Sequence, residues 1–249
     1  MEIRTFGGGK RLRECEMRLS GVDLGVARLV LLPIPTTRDR EYITGTSARL
    51  VDIYPLCRED TLVAGYNIPS EHKLEMESRG ARIFDAGLDE DFLIANAEIT
   101  ARGAIASLLS DTPLDITDMR VGVIGYGRIG RELCRLLLFF GASLTVYTKR
   151  DSVAADLAAA GIDSEIISAE SDLSALDVVF NTAPESIISR ERIAALPEKT
   201  RIIDLASGNI FEPSERLTKL ASIPDAMYPI SAGRLYAEAI IRAAKGDSE

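Results

Sequence analysis

Three glycines, Gly125, Gly127 and Gly130, stand at the spacing G-x-G-x-x-G inside the run VGVIGYGRIGREL. That spacing brings backbone N–H groups against a pyrophosphate. The first glycine permits a tight turn, the second lets the backbone approach the phosphates, and the third lets a helix pack close on the preceding strand. A β-branched run precedes the turn and an apolar helical stretch follows it. The first N–H groups of that helix and its dipole then face an anion. In this strand–turn–helix setting the spacing reads as a dinucleotide fingerprint, where a bare match would be a generic glycine turn. Gly125, Tyr126, Gly127, Arg128 and Ile129 are the expected contacts, with Tyr126 beside the cofactor and without a chemical role.

A dinucleotide turn of this kind is usually followed, about 20 residues on, by an acidic residue that holds the adenosine ribose. This chain has VYTKRD there. A hydroxyl at Thr148 and cations at Lys149 and Arg150 suit a 2′-phosphate, Arg being the better planar partner for its oxygens. The expected cofactor is NADP, with NAD possible. The plainer alternative is a solvated loop, with Asp151 capping the next helix. Two later strand ends, NTAPES from residue 181 and DLASG from residue 204, lie where open α/β sheets bind ligands. Thr182, Ala183, Pro184, Ala206 and Ser207 are expected along the nicotinamide, with Asn181 and Thr182 as hydrogen-bond donors.

These residues need elements to carry them. The chain has 249 residues, 46% apolar and 27% charged, which is room for two ordinary globular domains. A net charge of −9 argues against a nucleic-acid partner. Cys15, Cys57 and Cys134 are scattered without ligand spacing, so neither a disulfide framework nor a metal site is expected. The run LCRLLLFFGA is broken by Arg135 and too short to span a bilayer. No signal-like segment opens the chain, and the expected compartment is the cytoplasm.

Strand-like and helix-like runs alternate throughout, predicting an α/β fold. Residues 1–95 read as a smaller flavodoxin-like N-terminal α/β domain on the substrate side. Residues 96–118 read as a connecting helix and linker, 119–230 as a Rossmann-type doubly wound parallel sheet, and 231–249 as a C-terminal helix. Within the second domain, strands are predicted at 120–124, 143–147, 164–168, 176–181 and 200–205. Helices are predicted at 128–140, 152–160, 189–195 and 213–220.

The runs VGVIGYGRIGRELCRLLLFFGASLTVYTKR, FNTAPESII, RIIDLASG and NAEITARGAI together resemble the A-type subunit of dipicolinate synthase, itself similar to D-2-hydroxyacid dehydrogenases. The resemblance covers most of residues 96–245; LVLLPIPTT and TFGGGKRLRE extend it loosely into the first domain. It implies a two-domain NAD(P)-binding oxidoreductase of sporulation that forms dipicolinate from a dihydrodipicolinate-pathway intermediate, with a small flavoprotein-like second subunit as partner. The chain departs from the family where N-x-x-P-T-x-E-G is usual: it has Asn96, Ile99, Thr100, Arg102 and Gly103, without the proline or the acid. The loop before the last helix and the first domain are both shorter.

Hydroxyacid dehydrogenases generally use a histidine acid/base, and the one histidine here is His72, read as a solvated residue on a first-domain helix. No residue matches the acid/base role. The candidates for substrate contact are Thr100 and Arg102 on the connecting helix and Ser231 and Arg234 on the last, with Thr36 and Thr37 after a first-domain strand. Each has a plainer surface or capping role, Ser231 as a helix cap in particular. The expected substrate is a small dicarboxylate held in the cleft between the domains, and a homodimer is expected. A non-catalytic dinucleotide-binding sensor or scaffold, and a reductase of another 2-keto or 2-hydroxy acid, are the alternatives.

Overall fold

The structure is a computed structural model and describes residues 1–185, 190–206 and 216–246. The chain forms two compact units, one of residues 1–96 and 224–249 and one of residues 97–223.

In the first unit, β1 (Glu2–Thr5), β2 (Arg28–Leu31), β3 (Thr61–Gly65) and β4 (Arg82–Asp85) form a four-stranded parallel sheet in the order β1-β2-β3-β4. Strand alternation sends successive side chains to opposite faces. Leu29, Leu31, Leu62 and Ala64 therefore pack on one side with Leu12, Cys15 and Leu19 of α1 (Lys10–Leu19) and Tyr236 and Ile240 of α8 (Pro229–Lys245). Val30, Leu32 and Val63 pack on the other with Leu50 and Ile53 of a 3-10 helix, Leu50–Leu56, and Met76 of α2 (Ser70–Ser78). All five residues of β3 are buried, as a central parallel strand covered on both faces requires. A flavodoxin-type sheet runs 2-1-3-4-5. The order found here is instead progressive, with β1 and β4 at the two edges.

The helix α3 (Glu90–Leu109) carries the chain into the second unit. By length and composition α3 alone among the described helices could cross a membrane. Phe92, Ala97, Ala101, Ala104, Ile105 and Leu108 are buried along it, which is the pattern of a core helix.

The second unit holds β5 (Arg120–Ile124), α4 (Arg128–Phe139), β6 (Ser143–Thr148), α5 (Asp151–Ala159), β7 (Asp163–Ile166), β8 (Val178–Asn181), α6 (Arg190–Ala194), β9 (Arg201–Asp204) and β10 (Leu217–Lys219). Its six strands are parallel in the order β10-β9-β8-β5-β6-β7. That is the 3-2-1-4-5-6 order of the dinucleotide-binding sheet, with the reversal of direction between β5 and β8. A short α7 (Ile223–Ala226) precedes α8.

Three sequence expectations are corrected. The predicted helix 213–220 is, in its described part, the edge strand β10, paired with β9 through Leu217↔Ile202 and Lys219↔Asp204. Three residues carry too little periodicity to separate a strand from a helix turn. Ser231 does not cap the last helix, which starts at Pro229 after Tyr228, the proline supplying the preset φ of a first helical turn. His72 is not a solvated residue: it is half-buried, with its Nδ1 2.7 Å from the Tyr54 hydroxyl and its Nε2 3.2 Å from the Arg40 carbonyl.

Candidate dinucleotide site

The glycine turn joins β5 to α4, and each glycine meets a different constraint. Gly125 has φ +92°, a conformation costly for any residue with a Cβ, and a Cβ there would lie 2.7 Å from Thr182 Oγ1. At Gly130 a Cβ would lie 2.2 Å from the Gly125 carbonyl oxygen, so helix and turn touch backbone to backbone. Around Gly127 nothing lies within 4 Å of where a Cβ would be. The turn is thus tight at Gly125 and Gly130 and open at Gly127. Gly127 is also the N-cap of α4 and offers no side-chain oxygen to the first-turn N–H groups. This open cradle fits a dinucleotide phosphate. Tyr126 is half-buried under the Arg131 guanidinium, 5.5 Å from its ring centre.

Thr182 and Asn181 hold the turn in place. The Thr182 hydroxyl donates to the Ile124 carbonyl at 3.0 Å and lies 3.3 Å from that of Gly125. Asn181, 1% exposed at the end of β8, donates to Asp204 Oδ1 at 2.8 Å and to the Ala183 carbonyl at 3.2 Å. The sequence expectation has both donating to a nicotinamide; these donors are committed to the protein instead, because buried polar groups at a strand end need partners.

Asp204, 1% exposed, continues the chain of bonds. Its Oδ1 also accepts the Ala206 N–H at 3.1 Å, and its Oδ2 receives the Lys219 ammonium at 2.6 Å. Lys219 donates in addition to the Ala206 carbonyl at 2.6 Å. The ends of β8, β9 and β10 are thereby tied in one polar chain, Asn181–Asp204–Lys219. Lys219 carried no signal in the sequence, since its partner lies 15 residues away on another strand. Ser207 lies outside the described residues.

At the end of β6, Thr148 is 4% exposed and its hydroxyl oxygen accepts the Arg150 N–H at 3.2 Å, shaping the turn. Lys149 and Arg150 are exposed. Asp151 is the first residue of α5 and Arg150 its N-cap, so the alternative of a capping Asp151 is not what the loop adopts.

The candidate substrate contacts are distributed over both units. Thr100 is buried on α3, and Arg102 is paired with Glu98 one turn earlier. Ser231 is exposed on α8, and Arg234 is paired with Glu14 of α1 at 3.3 Å. Thr36 is fully buried and locks its turn, donating to Pro33 O at 3.2 Å and accepting the Tyr66 N–H at 2.8 Å. The Thr37 hydroxyl donates to Asp39 at 3.1 Å. Burial pushes the Cys134 thiol on α4 up to about 12, so it offers no thiolate nucleophile.

The sheet order and the glycine turn define a dinucleotide-binding α/β protein. Residues 95–223, just over half of the chain, match the model of the D-isomer specific 2-hydroxyacid dehydrogenase, NAD binding domain, and the chain belongs to that family. The A-type subunit of dipicolinate synthase from Bacillus subtilis (strain 168) is 26% identical over 159 residues, 61% of this chain and 54% of that protein. A D-specific alpha-keto acid dehydrogenase of Enterococcus faecium is 28% identical over 45% of this chain and 33% of that one. The chain thus matches about half the length, or less, of these relatives. The crystal structure of the corresponding dipicolinate synthase subunit from Bacillus halodurans shares the fold, with a TM-score of 0.78 at 21% identity, over 98% of this chain and 97% of that one.

Proposed function

We propose that the protein is an NADP-preferring oxidoreductase resembling the A-type subunit of dipicolinate synthase, acting in the cytoplasm on a cyclic dicarboxylate of the dihydrodipicolinate pathway. One observation carries the cofactor preference: the end of β6 presents Lys149 and Arg150 where a ribose-binding acid is usual. The open cradle at Gly127 supports phosphate binding beside them. The kinship with dipicolinate synthase supports the substrate class and a flavoprotein-like second subunit as partner. Bound NADP supplies the hydride acceptor. The chain's own residues supply phosphate binding at the first turn of α4, neutralisation of the 2′-phosphate by Lys149 and Arg150, and a rigid wall from the Asn181–Asp204–Lys219 chain. Arg102 is the proposed partner of a substrate carboxylate, a guanidinium being suited to that anion.

Incubating the protein with the pathway intermediate and NADP, with and without the flavoprotein-like partner, tests this reading. It predicts the appearance of dipicolinate absorbance in at least one mixture. None in either mixture rejects the substrate assignment.

A second reading, a non-catalytic dinucleotide sensor or scaffold, is favoured by one fact. The single histidine is bonded at both ring nitrogens, to Tyr54 and Arg40 of the first unit. On that reading NADPH binds tightly, no 2-hydroxy or heterocyclic acid turns over, and Arg102→Met leaves function intact.

A further inference from the structure

β6 and β8 flank β5 in the sheet, so the loops that follow them stand on either side of the glycine turn ending β5. Lys149 comes from the β6 side. From the β8 side, four residues past Asn181, comes Glu185. Their side chains meet, Lys149 Nζ to Glu185 Oε2 at 2.7 Å, spanning the carboxyl end of β5. Both are more than half exposed, 53% and 71%, and the ammonium holds the Glu185 carboxyl below its usual range. The neighbouring Arg150 guanidinium makes no hydrogen bond or ion pair among the described residues.

Although β6 itself ends without an acid, a carboxylate from the loop after β8 therefore stands beside Lys149. We propose that Glu185 is a specificity-determining residue, its carboxylate competing with the adenosine 2′-phosphate of the cofactor for Lys149. The proposal rests on the reading above that the adenosine ribose lies at the end of β6. An incoming 2′-phosphate must displace this carboxylate and then lies near a like charge. A 2′-hydroxyl meets a group able to accept its hydrogen bond. Glu185 thus pulls toward NAD(H), Lys149 and Arg150 pull toward NADP(H), and the balance between them sets the preference. Because the pair is solvent-exposed it opens easily, so the effect is a tuning of preference and not a block.

The test is a set of equilibrium titrations of NADPH and NADH at low salt, where surface charge is least screened. The proteins are wild type, Glu185→Gln, Lys149→Met, Arg150→Met and the Lys149→Met/Glu185→Gln double variant. Glu185→Gln is expected to tighten NADPH binding by about fivefold, the upper end for an exposed pair, and to leave NADH equal or weaker. In the Lys149→Met background the gain should shrink, because the contested partner is gone. Unchanged or weaker NADPH binding by Glu185→Gln, equal tightening of both cofactors, or a gain that persists in full without Lys149 overturns the proposal. Failure of the underlying reading looks different: Lys149→Met and Arg150→Met then leave NADPH affinity untouched, whatever Glu185→Gln does. Melting temperatures of the variants confirm that each is folded.

Discussion

Three glycines of one motif face three different surroundings, and substitution separates them. Gly127→Ala adds a methyl group to open space at ordinary backbone angles, φ −82°, so the melting temperature should stay unchanged. NADPH affinity should fall about tenfold or more, since a methyl would stand where the proposed site places the pyrophosphate, and fluorescence titration measures it. Gly130→Ala drives a Cβ against the Gly125 carbonyl, 2.2 Å away, and should cost about 1–3 kcal/mol or more of stability in denaturant unfolding. These roles were legible in the sequence because the motif is local: spacing, strand and helix all lie within about 20 residues. The Lys149–Glu185 pair was not legible, because its members are 36 residues apart and only the sheet order brings them together.

Among the elements, the polar chain across β8, β9 and β10 ties together the strand ends proposed to lie along the nicotinamide. Lys219→Met should leave the buried Asp204 carboxylate without its counter-charge, at a cost of about 3 kcal/mol. It should also weaken NADPH binding several-fold while leaving 2′-phospho-AMP binding unchanged, because that fragment is only the adenosine half of the cofactor. Equal loss for both ligands would mean that the unit as a whole had loosened. Lys219→Arg should restore part of the difference. The sequence showed the strands and helices around the glycine turn, whose long apolar runs leave little ambiguity. It failed at β10, three residues at the sheet edge that hold their place by backbone bonds, Ile202 N–H to Arg216 O at 2.8 Å and Leu220 N–H to Asp204 O at 3.0 Å. It also passed over the 3-10 helix Leu50–Leu56, whose internal Pro55 reads as a turn.

For the molecule as a whole, acid stability and cofactor choice are the properties to measure. At the amino-terminal edge of the second sheet Asp177 accepts the Arg120 N–H at 3.0 Å and pairs with the Arg120 and Lys199 side chains. The Arg120 guanidinium, with help from Lys199, holds this carboxyl far below its ordinary 3.8. Lowered in the folded state, the group stabilises the fold fully above pH ~4 and loses that contribution as pH falls further. Asp177→Asn should therefore cost about 1–2 kcal/mol at neutral pH and narrow the gap to wild type below pH ~3, read from melting temperature against pH. The α/β class and the two-unit layout were visible in the sequence as an alternation of runs. The progressive strand order of the first sheet was not, since it is set by pairings between strands about 20 to 30 residues apart. What the second unit binds decides the function, and parallel equilibrium titrations of the wild-type protein with NADPH and NADH measure that directly. Saturable binding of both with NADPH the tighter is the predicted result; NADH binding as well or better, or neither binding, would contradict it.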